Sequence, residues 1–264
     1  MKFGMIRNAA DRAAFEYVQS KGLEFIEVCM NYTQNAEEFI ARADEIKALS
    51  DEFNIPLLSV GRWNGDGGPI DENGKMKEDL WEEAKRSMDA IAKVGCPLYV
   101  CGCNYVENLS LYKNYTIAID YFGKVMEYAK GLGLEVAVYN CHWNNFVDQA
   151  KAWEVVMGEL PELGIKFDAS HSVAGHRDYL QEMVDWANRF KHVHVKGYVQ
   201  INGKYVDAPP AGLDYLNWPT IMANLYAAGY DRGLSIEPHS SVWQGDLGER
   251  GVDYTVKYIR SLLV

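Results

Sequence analysis

Long apolar runs are missing from this chain. No stretch reaches the ~18 apolar residues that a bilayer-spanning helix needs, and the opening MKFGMIRNAADRAAFEY carries no apolar leader core. Neither a membrane span nor a secretory leader is expected, and the expected compartment is cytoplasmic. Positive charge is also short: 26 Lys and Arg face 37 Asp and Glu, a net charge of −11. That argues against nucleic acid, whose phosphates reward Lys/Arg patches, and long-range steering would oppose a strongly anionic substrate. No GxGxxG follows the first apolar strand, so an open dinucleotide-binding sheet lacks its main support. No glycine-rich phosphate cradle stands late in the chain, where DAPPAG (Asp207–Gly212) and PHSSVWQGDLG (Pro238–Gly248) occur. An unphosphorylated ligand is therefore expected. Cysteines are few and odd in number, namely Cys29, Cys96, Cys101, Cys103 and Cys141. Cys101-Gly102-Cys103 is neither a CxxC motif nor a zinc knuckle, which leaves reduced thiols packed as small hydrophobes.

What is present is a steady alternation of strand and helix. The spacing predicts strands at Lys2–Ile6, Phe25–Val28, Leu57–Val60, Leu98–Cys101, Glu135–Tyr139, Ile165–Phe167, His192–Val195 and Leu234–Ile236. Several are continuous apolar or β-branched runs, as strands buried on both faces should be. Amphipathic segments lie between them: Ala36–Phe53, Leu80–Val94, Tyr115–Gly131, Val147–Leu160, Tyr179–Phe190, Trp218–Gly229 and Gly251–Leu263. Repeated βα units imply a parallel sheet, and eight of them imply closure into one (β/α)8 barrel, a fold of typically ~250 residues. No domain boundary shows within residues 1–264. Two loops are long, Gly61–Met76 and Gly197–Asn217. The second contains Asn202-Gly203 between VQI and KYV, which predicts an inserted β-hairpin after the seventh strand.

Four strand ends carry the chemistry: YNCH (Tyr139–His142), FDASH (Phe167–His171), HVHVK (His192–Lys196) and LSIEPH (Leu234–His239). A parallel barrel gathers such ends at one mouth. Asp168, His194 and Glu237 would then meet, offering two carboxylates and an imidazole to a divalent ion. Oxygen-rich ligation with one imidazole suits Mn²⁺, or Mg²⁺, better than zinc. Asn140 offers a weaker, uncharged carbonyl as a fourth ligand. His142 has three roles open to it: general base, structural histidine, or ligand. His171 stands three residues after Asp168, where it could touch substrate or metal. Lys196 shares the parity of His194 and so faces the rim, placed to steady an enolate oxygen. His192 has the same parity at the strand's other end and is expected to be structural. Trp63, Tyr105, Trp143, Tyr198 and Trp243 lie near strand ends or mouth loops. Flat apolar faces beside polar groups suit the C–H faces of a sugar ring.

With these motifs the chain resembles the xylose isomerase-like TIM-barrel superfamily of sugar isomerases, ketose 3-epimerases and inosose dehydratases. FDASH, HVHVKG, VDAPPAG and LSIEPH carry the resemblance, which spans nearly the whole chain. It implies a TIM barrel with one divalent metal, often manganese, held by Glu, Asp, His and Glu from strands five to eight. The matching positions are Asp168, His194 and Glu237. Asn140 stands where the fifth-strand Glu is expected, which puts a two-glutamate epimerisation in doubt. The implied chemistry is proton abstraction next to a carbonyl of an unphosphorylated sugar or keto-polyol, with His142 or Glu237 as base and Lys196 on the oxyanion. Two alternatives stand beside this isomerase or epimerase. One is a lyase that releases the aglycone from 3-oxo-glycosides, including C-glycosides, with a small second subunit. The other is a non-catalytic sugar-binding barrel. The expected partner is a small carbohydrate, and a homo-oligomer is equally open.

Overall fold

The computed structural model describes all 264 residues. Eight strands close a parallel barrel: β1 (Lys2–Arg7), β2 (Ile26–Met30), β3 (Leu57–Arg62), β4 (Leu98–Cys101), β5 (Glu135–Tyr139), β6 (Gly164–Phe167), β7 (Phe190–Val195) and β10 (Gly233–Ile236). Each pairs with its neighbours in chain order, and β10 closes against β1 with Phe3 opposite Leu234. This is a (β/α)8 TIM barrel. The short antiparallel pair β8 (Val199–Ile201) and β9 (Lys204–Asp207) projects after β7. Its turn is Asn202-Gly203, both at positive φ, as a two-residue hairpin turn requires. At the base of this insertion Gly197 lies against the Pro209 backbone, where a Cβ would collide with the carbonyl oxygen.

Helices α1 (Arg12–Ser20), α2 (Thr33–Ala41), α3 (Ala43–Phe53), α4 (Glu78–Lys93), α5 (Leu111–Gly131), α6 (Ala150–Glu159), α7 (Ala169–Ala174), α8 (Tyr179–Trp186), α9 (Trp218–Ala227) and α10 (Gly245–Arg260) surround it. Outward strand residues such as Val28, Ile165, Phe167, Val193 and Val195 join the buried helix faces in one apolar layer. None of the helices is long and apolar enough to cross a membrane.

The stripe predicted over Ala36–Phe53 divides into α2 and α3. Arg42 leaves helical geometry (φ −102°, ψ 10°), and its guanidinium pairs with Glu45 at 3.0 Å. Helix α1 had no predicted stripe. It starts with Asp11 accepting from the Ala14 N–H. The short α7 follows directly from Asp168, which caps it.

Candidate active site

Alternation along each strand decides what enters the barrel. On β7, Val193 and Val195 face the helices, while His192, His194 and the following Lys196 face inward. Glu27 comes in from β2, Lys166 and Asp168 from β6 and its end, Glu237 from the end of β10. All of these except the half-buried Glu237 are buried.

Glu27 binds both imidazoles from below. Its carboxylate lies 3.0 Å from Nε2 of His192 and 2.8 Å from Nε2 of His194. His194 thereby turns Nδ1 toward the mouth, where Oε2 of Glu237 is 2.9 Å away and Oδ2 of Asp168 is 3.7 Å away. Lys196 Nζ lies 3.3 Å from Glu237 Oε2 and 3.9 Å from Asp168 Oδ2. Lys166 Nζ approaches His194 Nδ1 at 2.9 Å. Burial alone would raise the Asp168 and Glu237 carboxyls. Their neighbours outweigh it, His171 (which charges only in acid) and Lys196 for Asp168, Lys196 and His194 for Glu237, and hold both well below the usual carboxylate range. Burial lowers His194, but Glu27 outweighs it and lifts the imidazole to about 10. Ligation through Nδ1 is then coupled to release of a proton. Burial holds His171 at about 4, so its ring is neutral at pH 7.

Asp168 is held at its backbone and at one oxygen. Oδ1 accepts from the Ser170 N–H at 2.9 Å, while Oδ2 is buried without any hydrogen-bond partner. An unpaired buried carboxylate oxygen is costly. Oδ2, His194 Nδ1 and Glu237 Oε2 lie within 4.8 Å of one another. The second imidazole nitrogen is held by a carboxylate, the arrangement that orients metal-bound histidines. On these grounds the donor set fits a divalent ion held by three protein atoms. A second group, Glu27 with His192 and His194, also converges. There the two Nε2 atoms already share one carboxylate, which reads as internal support for His194.

The fold model of the xylose isomerase-like TIM barrel matches residues 15–262. The chain belongs to this family. Similar solved structures include apo 3-keto-D-glucoside 4-epimerase from E. coli, with TM-score 0.77, 17% identity and 99% of each chain covered. A xylose isomerase domain protein from Planctomyces limnophilus has TM-score 0.78 at 16% identity, covering 99% of this chain and 96% of that one. D-psicose 3-epimerase with D-tagatose from Clostridium cellulolyticum H10 has TM-score 0.75 at 14% identity, covering 100% and 99%. At these identities the likeness is one of fold. No curated protein matches the chain in sequence.

The predicted site residues of this xylose isomerase-like barrel separate into three groups. Asp168, His194, Glu237 and Lys196 come together. His171 joins them, its Nε2 3.5 Å from Asp168 Oδ2. Asn140 is close but committed: its Oδ1 accepts from the Asp168 N–H, and its Nδ2 donates to the Asp168 carbonyl, both at 2.9 Å. It braces Asp168, a use of both ends of the amide that competes with the expected role of fourth ligand. His142 stands outside the cluster on the rim. Its ring is exposed and Nδ1 lies 3.0 Å from the buried Asp148 carboxylate.

The aromatic set also divides. Trp63 is buried in the barrel wall, stacked on Tyr139 with centroids 4.9 Å apart. Trp143 is exposed on the rim, edge-on to Tyr32, and both crowd the loop at Gly65. Tyr105 packs edge-on to Phe146, and Tyr198 packs on Tyr205 of the hairpin. Half-buried Trp243 lines a groove with Arg7, Asn8 and Tyr17 on the β1 side of the mouth.

Glu27 and Lys166 were not among the predicted residues. Both had a signal: a charge inside an apolar strand, in FIEVCM and in GIKFD. Lys166 even shares the parity of Asp168, two residues later.

Proposed function

We propose that this protein is an isomerase or epimerase of an unphosphorylated sugar or keto-polyol that works by removing a proton next to a carbonyl. The observation that carries this reading is the unpartnered Oδ2 of Asp168, facing His194 and Glu237 beneath an open rim. Asp168, His194 and Glu237 would hold a divalent ion, Mn²⁺ or Mg²⁺, whose Lewis acidity polarises the substrate carbonyl. Glu237 engages His194 and Lys196 through Oε2, while Oε1 faces only His239 Nδ1 at 3.7 Å. Oε1 is therefore the oxygen placed to take the substrate proton. Lys196 supplies a positive charge beside that carboxylate for the oxyanion that forms. Neutral His171 offers a hydrogen bond at the same edge. Across the mouth His142, oriented by Asp148, is the second base. Trp143, Tyr32 and Trp243 offer flat faces to the ring of the sugar. Five free thiols suit a reducing, cytoplasmic setting.

One observation favours a second reading, elimination from a 3-oxo-glycoside with a small partner subunit. Asn140 leaves the β5 side without a carboxylate base, and His142 on the exposed rim is suited to act alone on a bulky substrate.

Proton NMR in D₂O with added Mn²⁺ tests both. Deuterium entering D-fructose, D-tagatose or D-psicose beside the carbonyl supports the isomerase. Aglycone release from a 3-oxo-glucoside supports the lyase. No exchange and no release over the panel contradicts both and leaves sugar binding without turnover.

A further inference from the structure

Lys166 takes no part in the chemistry proposed above, yet it touches the site's central atom. Its Nζ is 2.9 Å from Nδ1 of His194, and the side chain is almost wholly buried. It makes no ion pair of its own, because Lys196 is the ammonium that bridges Asp168 and Glu237. A buried ammonium is expensive unless something nearby calls for positive charge. Here the charges of Asp168 and Glu237, in the same buried site, do so.

We infer that Lys166 is an internal competitor for the divalent-ion site: its ammonium occupies the Nδ1 face of His194 when no ion is bound and must withdraw before an ion takes that nitrogen. This rests on the divalent-ion reading of Asp168, His194 and Glu237. Three facts point the same way. An ammonium 2.9 Å from Nδ1 and a divalent ion bound at Nδ1 cannot share that face of the ring. Asp168 and Glu237 are already matched in charge by Lys166 and Lys196, so an added divalent ion meets a site that is neutral rather than anionic. The lysine also has a second partner that an ion at Nδ1 would leave intact, since its Nζ already lies 5.4 Å from the face of Trp63. Asn140 strengthens the effect, because its committed amide offers no fourth ligand to hold the ion against this competition. The ion is therefore held loosely and exchanges with the medium.

The test is titration of MnCl₂ into the purified, chelator-treated protein by calorimetry, beside Lys166→Met and Lys166→Gln. The expected result is one ion per chain, bound at least tenfold tighter by both variants than by the native protein. Native binding with no gain in either variant overturns the competition and leaves the ion site standing. No binding by any of the three proteins overturns the competition and the ion site together. A variant that folds only when MnCl₂ is present supports the inference, since ion and ammonium then substitute for one another. Two variants that stay unfolded with MnCl₂ overturn it.

Discussion

The inner faces of β3, β4 and β5 and those of β2, β6, β7 and β10 enclose the same barrel with opposite chemistry. The first half is a dry wall of Trp63, Leu98, Val100, Ala137 and Tyr139. The second holds Glu27, Lys166, His192, His194 and, at its upper edge, Asp168, Lys196 and Glu237. Where β3 does carry a charge, it points outward: Arg62 is buried against Glu83 of α4 at 2.7 Å. The difference shows how one fold separates stability from function. The apolar wall excludes water and lowers the local dielectric, which strengthens every charge interaction across from it. The charged half uses that strength to hold a donor set that would otherwise be hydrated.

Exchanging the chemistries should produce the largest effect. Val100→Lys puts an unpaired ammonium into the apolar half, at a cost of several kcal/mol against a typical stability of about 5–15 kcal/mol. Soluble yield and circular dichroism should show loss of the fold, although Lys166 is tolerated on β6. A native spectrum would dissolve the distinction between the halves. Next comes Glu237→Gln, which removes a donor charge and the proposed base. Turnover should fall by ~10²–10⁴-fold while circular dichroism keeps the native spectrum. An active variant would sink the site.

Glu27→Gln probes the support beneath the site. It leaves two buried imidazoles without their carboxylate, so denaturant unfolding should show a loss of about 3 kcal/mol and ion affinity a loss of ~10–100-fold. Unchanged affinity would make Glu27 purely structural. His142→Ala, on the rim and outside the cluster, should be mildest. Turnover should drop while calorimetric Mn²⁺ affinity holds. Loss of the ion would return His142 to the ligand set.

Much of this was legible from pattern. Apolar runs located all eight barrel strands, and the acids and imidazole at three strand ends, Asp168, His194 and Glu237, follow from parity and topology. The Asn202-Gly203 hairpin was equally direct. What escaped depends on register between distant strands. Glu27 matters because β2 sits across the barrel from β7, and no local signal tells that its carboxylate meets His192 and His194. Lys166 looked like one more residue in a buried strand until its neighbour proved to be Nδ1 of His194. The bracing of Asp168 by Asn140 was not legible either, since only coordinates reveal that its amide is used at both ends. The break at Arg42 escaped because the apolar stripe of α2 and α3 runs through it unbroken.

The account's central claim is that the charged half holds a divalent cation at Asp168, His194 and Glu237. The most direct test is the Mn²⁺ stoichiometry of the native protein and of Asp168→Ala, by equilibrium dialysis and inductively coupled plasma mass spectrometry. One ion per native chain and none in the variant is the predicted result. No ion in the native protein at millimolar Mn²⁺, or an equal amount in Asp168→Ala, would contradict it.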